Sequence, residues 1–159
     1  MKLLVFSDSH GSIEAMRRIA LREAPDRIVH LGDYAADALT LARELTGVPV
    51  SFVPGNCDGL TRFAHTLIET YEGVTLFMTH GHRYGVKRDL LHLSLAAREA
   101  GAALALFGHT HVPLLEREGA LTLLNPGACQ DRGAAPYAAV ELSGGRILRC
   151  ELRADGATG

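Results

Sequence analysis

Three times in the first 58 residues an apolar run rich in strand formers stops in a polar loop, and this recurrence restricts the fold more than any other feature. Residues 2–7 run into Asp8-Ser9-His10-Gly11, residues 27–31 into Gly32-Asp33, and residues 50–53 into Pro54-Gly55-Asn56-Cys57-Asp58. Helical patterns fill the gaps. Ile13, Met16, Ile19 and Ala20 recur at helical spacing from 13 to about 23, with Ser12 placed to cap the segment and Pro25 to stop it. Residues 35–45 fit a second helix, with Gly47 and Pro49 beyond its end. Strand, helix, strand, helix, strand is the rhythm of an α/β protein with a largely parallel start. Ligands of such sheets collect at the carboxyl ends of the strands.

The second half changes character. Residues 67–71 and 74–79 read as a hairpin about Glu72-Gly73, and the second arm ends in His80-Gly81-His82. Residues 89–100 predict a helix with Leu90, Leu93 and Ala97 on one face and Gly101 as its cap. Residues 103–107 form a further strand ended by Gly108-His109-Thr110-His111. Strands are expected at 114–117, 121–124, 137–142 and 147–152, and a frayed tail at 153–159. A second sheet with antiparallel members, packed on the first, is the simplest home for them. The 159 residues suffice for a single domain, 1–159, with one sizeable core.

Composition excludes several functions. No apolar stretch approaches the roughly 20 residues that cross a bilayer, so no membrane partner is expected. A net charge of -2 gives no footprint for duplex nucleic acid. Cys57, Cys129 and Cys150 are too few and too far apart for a disulfide framework, and the start of the chain lacks the pattern of a signal peptide. A reducing cytoplasm is the expected location.

The chemistry sits in the loops. Asp8 and His10 are two apart and are expected to point the same way from an extended backbone, as are His109 and His111. Asp33, Asn56 and His80 each end another strand. Two carboxylates, four imidazoles and one amide oxygen suit divalent Mn, Fe, Co, Ni or Zn. Seven side chains exceed the needs of one ion but fit two ions about 3.5–4 Å apart that share a carboxylate. The glycines of these loops are expected to turn the backbone sharply toward a common point. Any one motif alone would be read as a turn or cap; the conjunction of five is what carries the inference.

Asp8-Ser9-His10, Gly32-Asp33, Gly55-Asn56-Cys57-Asp58, His80-Gly81-His82 and Gly108-His109-Thr110-His111 together resemble the motif set of the calcineurin-like metallophosphoesterases. The short chain, the Cys in the third motif and Asn125-Pro126-Gly127 resemble the small bacterial and archaeal phosphodiesterase branch, itself similar to the retromer's metallophosphoesterase-like subunit. The resemblance implies a four-layer α/β/β/α sandwich, with two mixed sheets flanked by helices. It also implies a first metal held by Asp8, His10 and His111, a second by Asn56, His80 and His109, and Asp33 bridging both. Manganese is the expected ion, with Ni, Fe, Co or Zn as alternatives. The implied reaction is in-line attack on a phosphate ester by a hydroxide bridging the two ions. Asp33, Asn56, His82 and Asp58 are the expected catalytic group, His82 facing substrate and Asp58 orienting a neighbour.

The broad family usually has His where this chain has Cys57. A neutral thiol is a poor substitute for orienting substrate or protonating a leaving group, so small phosphodiesters, nucleotide derivatives among them, are expected over monoesters. Cys57 itself reads as a small, partly buried residue. A phosphomonoesterase or nuclease of the same fold, and a non-catalytic scaffold for protein partners, are the alternatives. Arg83, Tyr84 and Arg132 are candidates near substrate, with ordinary surface roles equally open. His30 reads as a packed core histidine, and His65 and His92 as solvent-facing or structural. Association into a homo-oligomer is open, since no segment identifies an interface.

Overall fold

In the computed structural model, which describes residues 1–59, 61–130 and 133–156, strand β1 (Lys2–Phe6) faces two cores at once. Successive side chains of a strand point to opposite faces. Leu3 and Val5 therefore enter the apolar layer between the two sheets, while Leu4 and Phe6 enter a layer beneath two helices. All four are fully buried, which is why this run shows no polar alternation in the sequence.

Helix α1 (Ile13–Glu23) follows, then β2 (Arg27–His30), α2 (Ala35–Glu44) and β3 (Val50–Phe52). The three strands are parallel: β1 pairs with β2 and β2 with β3. Met16 and Ile19 of α1 and Leu41 of α2 pack on Leu4, Phe6 and Ile28. Ser12 occupies the position before α1, yet its side chain makes no capping hydrogen bond there.

The hairpin forms as expected from β4 (Thr66–Tyr71) and β5 (Val74–Thr79). Helix α3 (Leu91–Glu99) starts two residues later than its apolar pattern implies. The Asp89 carboxylate accepts the peptide N–H of Leu91 at 3.1 Å, which holds the preceding turn outside the helix. Then come β6 (Leu104–Leu106), β7 (Leu114–Glu118), β8 (Leu121–Asn125), β9 (Ala135–Ser143) and β10 (Arg146–Asp155).

The strand orders are β10-β9-β1-β2-β3 in one sheet and β4-β5-β6-β8-β7 in the other. Each sheet mixes parallel and antiparallel pairs. Leu76, Met78, Leu104, Leu106 and Leu124 of the second sheet meet Leu3, Val5, Val29 and Val140 of the first. On its outer face, Phe77, Ala105 and Leu123 pack against Leu93 and Ala97 of α3. The result is the four-layer α/β/β/α sandwich.

The tail differs from the sequence expectation. Residues 153–155 belong to β10, paired with Tyr137, Pro136 and Ala135 of β9. The Asp155 carboxylate is buried and accepts from Arg18 Nε at 2.7 Å and from Arg22, which fixes the strand end to α1. Among the described residues no helix is long and apolar enough to cross a membrane.

Candidate metal centre

Parallel strands of both sheets deliver their carboxyl ends to one place. The turns after β1 and β2 are joined by Asp8 N–H to Gly32 O at 2.9 Å, and those after β5 and β6 by Gly108 N–H to His80 O at 3.0 Å. His80 Nδ1 lies 2.7 Å from the Leu31 carbonyl oxygen and so ties the second sheet to the first.

Ligand atoms of Asp8, His10, Asp33 and His111 all lie within 4.8 Å of one another. His111 Nε2 stands 3.1 Å from Asp8 Oδ1, and His10 Nε2 3.8 Å from Asp33 Oδ2. A second group adjoins the first. His80 Nε2 lies 3.0 Å from Asn56 Oδ1, 3.5 Å from Asp33 Oδ1 and 3.9 Å from Asp8 Oδ1. The His109 ring packs on His80 with 5.0 Å between centroids. The two oxygens of Asp33 thus face the two groups separately.

The donor set fits divalent cations on an observation of hydrogen bonding. Asp8 Oδ2 accepts from Ser7 Oγ at 2.5 Å and from the His109 peptide N–H at 3.0 Å. Its buried partner Oδ1 has no hydrogen-bond donor among the described residues, and neither does His10 Nε2. A carbonyl oxygen can only accept, so His80 Nδ1 carries a proton toward Leu31, and Nε2 faces Asn56 Oδ1 and Asp33 Oδ1. Buried lone pairs that converge without donors are costly unless a cation fills the space between them. Burial opposes ionisation of Asp33, but the Cys57 peptide N–H at 2.9 Å and the His80 imidazole overcome it and hold its carboxyl below the usual range.

How these side chains converge differs from the sequence expectation. Asp8 and His10 are not on extended backbone: their φ values are 52° and 46°, and those of His109 and His111 are 68° and 61°. With Asp33 at 56°, five of the eight described non-glycine residues with positive φ belong to this cluster. Such conformations cost on the order of 1–3 kcal/mol each and concentrate at functional sites. Gly108 contributes space instead of a turn, since a Cβ there would strike Ser7 Oγ and Asp8 Oδ2.

The surrounding polar groups hold the loops. Asp58 presents no bare oxygen to the cluster: Oδ2 accepts the Gly55 N–H at 2.7 Å and Oδ1 the Ala35 N–H at 2.8 Å, clamping the third loop to the start of α2. Asp58 thus holds the loop that carries Asn56 and Cys57. His30 is buried, as expected of a core histidine, and burial pushes its imidazole down to about 4. In that neutral ring Nδ1 accepts the Gly32 N–H at 3.2 Å, so Nε2 donates to Ser9 Oγ at 2.8 Å, and Ser9 donates to Asp37 at 2.7 Å. Asp37 also accepts the Gly11 N–H at 2.7 Å. Sequence reasoning missed the part of Ser9 and Asp37 in this chain. Asn125 reaches the Gly108 carbonyl at 2.9 Å and Thr110 Oγ1 at 3.0 Å, which anchors the loop carrying His109 and His111.

His82 lies outside the acceptor cluster, its ring 5.4 Å from His80 and 6.1 Å from His109. Burial first, then the His80, His109, His65 and Arg83 charges, pushes its imidazole down to about 4. With Gly55, Asn56, His65 and Arg83 it lines a cleft of about 430 Å³ beside the cluster. His65, read from sequence as solvent-facing or structural, is half-buried there, 5.9 Å from the His82 ring. Cys57 is exposed, not partly buried; its peptide N–H serves Asp33, while desolvation and the neighbouring carboxylates push its thiol up. Tyr84 is half-buried, its ring 5.7 Å from Phe77 and its hydroxyl 3.3 Å from Thr66 Oγ1. Tyr34, unremarked in the sequence, stands exposed beside His10 with 5.1 Å between rings. Arg132 lies outside the described residues.

Comparison with known proteins bears on this geometry. Residues 1–145 match the family described as the calcineurin-like phosphoesterase superfamily domain. A probable metallophosphoesterase of Bacillus subtilis, YsnB, is 35% identical over 130 residues, covering 80% of this chain and 75% of its own. The Escherichia coli phosphodiesterase YfcE is 30% identical over 155 residues, covering 80% and 79%. A crystal structure of a predicted phosphoesterase from Streptococcus pneumoniae superposes with a TM-score of 0.79 at 27% identity, over 97% of this chain and 89% of that one.

Proposed function

Because the chain belongs to the calcineurin-like phosphoesterase superfamily, we propose that it is a metal-dependent phosphodiesterase acting on a small, nucleotide-derived diester. The observation that carries this reading is the convergence of ligand atoms in which buried Asp8 Oδ1 and His10 Nε2 find no hydrogen-bond partner among the described residues, with His80 Nε2 and Asn56 Oδ1 paired at 3.0 Å beside them. In this reading Asp8, His10 and His111 hold one divalent ion, Asn56, His80 and His109 a second, and Asp33 both. Carboxylate, imidazole and amide oxygen together suit Mn, Fe, Co, Ni or Zn, and Mn is the ion proposed because the carboxylate and amide donors are hard oxygens. The chemistry that two such ions would supply when bound is activation of a water for in-line attack and neutralisation of charge on the phosphate oxygens.

The chain's own residues do the rest. Asp33 keeps its negative charge with the help of the Cys57 N–H. His82 is neutral near pH 7, so it offers substrate a neutral hydrogen bond and no acidic proton. The Cys57 thiol, pushed up, stays protonated and is not a base. With neither group suited to protonate a leaving oxygen, substrates with stable leaving groups are favoured. An exposed thiol also suits a reducing cytoplasm.

The test compares bis(p-nitrophenyl) phosphate with p-nitrophenyl phosphate in added Mn²⁺ or Ni²⁺, then in chelator. The expected result is faster hydrolysis of the diester, lost in chelator and restored by metal. Activity on neither ester with metal bound would contradict the enzyme reading, and a faster monoester would contradict the diester preference.

A further inference from the structure

A second cleft, of about 460 Å³, shares His82 and Arg83 with the cleft beside the cluster and is completed by Tyr84, Gly85, Arg88 and His92. Among the described residues no Asp or Glu lines either cleft. Yet the whole chain carries a net charge of -2, so this local surplus of Arg runs against the overall balance. Arg83 is exposed and makes no hydrogen bond or ion pair among the described residues. Arg88 is different: its Nε lies 3.2 Å from Asp89 Oδ2, and that carboxylate also caps Leu91. The unneutralised cation is therefore Arg83, on the ridge between the clefts and next in sequence to a ring 5.4 Å from His80. A planar guanidinium with open N–H donors is suited to gripping a phosphate in two places. The second cleft is of the size that takes a sugar phosphate.

We propose that Arg83, with Arg88 behind it, forms a subsite for a second phosphate group, so that the preferred substrate is a phosphodiester of a nucleoside bearing another phosphate on its sugar. This deepens the phosphodiesterase reading and rests on it for the place of the scissile phosphate. Arg83 supplies most of the grip, since Arg88 already shares its charge with Asp89.

Calorimetry on the Mn²⁺-loaded protein compares thymidine 5′-monophosphate with thymidine 3′,5′-bisphosphate. In parallel, hydrolysis is followed for the 5′-p-nitrophenyl ester of thymidine 5′-phosphate with and without a 3′-phosphate. The bisphosphate is expected to bind on the order of tenfold more tightly, the worth of a charge-assisted hydrogen-bonded pair. Arg83→Gln should bring the two ligands toward parity by weakening the bisphosphate more than the monophosphate, and Arg88→Gln should do so less. Equal binding by the wild-type protein, or a loss in Arg83→Gln that is the same for both ligands, would overturn the subsite. Preference for the bisphosphate without hydrolysis of either ester would support the subsite and count against the phosphodiesterase reading alone.

Discussion

Asp33→Asn is expected to lower kcat/KM for the diester by on the order of 10³-fold, about 4 kcal/mol of transition-state stabilisation. The substitution is nearly isosteric. An amide oxygen at the same place can still accept the Cys57 N–H, which the carboxylate accepts at 2.9 Å. What disappears is a negative charge whose two oxygens face His80 at 3.5 Å and His10 at 3.8 Å. Asp33 is almost fully buried and held ionised against the cost of burial, so nothing nearby replaces that charge. Steady-state kinetics, with a thermal melt as control for folding, make the comparison. A variant that keeps activity within tenfold of wild type would contradict the bridging role.

The second large effect falls on stability. Gly32 has φ +95°, and a Cβ there would stand 2.6 Å from Gly55 N and 2.9 Å from both Gly55 Cα and Pro54 C. These are backbone atoms of the third loop, so no rotamer change relieves the clash. Gly32→Ala therefore combines left-handed strain with overpacking and is expected to cost about 3–5 kcal/mol. For a chain of this size that is a fall of roughly 10 °C in Tm. Gly47→Ala is the matched comparison: φ is +99° but nothing lies within 4 Å, so only strain of about 1 kcal/mol applies. Equal melting temperatures for the two variants would contradict the close approach of the second and third loops.

Much of the architecture was legible because burial leaves a mark on sequence. Residues 3–6 are apolar on both faces since one face meets the other sheet and the other meets α1 and α2. The boundaries were less legible where distant groups set them. The end of β10 depends on Arg18 and Arg22 reaching Asp155, more than 130 residues away. The start of α3 depends on a local side chain, Asp89, competing for a backbone donor.

In the site, the order and type of the motif residues were readable, but their geometry was not. Alternation along an extended strand is the natural reading of Asp8-Ser9-His10, yet the left-handed φ of Asp8 and His10 is set by tertiary contacts. One such contact is the chain from His30 through Ser9 to Asp37, three residues that share no motif. Asp58 reads as a catalytic neighbour in sequence because it sits beside Asn56 and Cys57. Its carboxylate is in fact taken by two peptide N–H groups. His65 and His82 are far enough apart in sequence that nothing links them, and folding makes them neighbours in one cleft.

In the proposed enzyme one cluster of side chains takes two divalent ions through a shared Asp33. The most direct measurement loads the metal-free protein with Mn²⁺, removes the excess, counts metal per chain by elemental analysis and records the electron paramagnetic resonance spectrum. Two ions per chain with an exchange-coupled spectrum are expected, and loss of the coupling in Asp33→Asn. One ion per chain, or two with independent spectra in the wild-type protein, would contradict the shared Asp33.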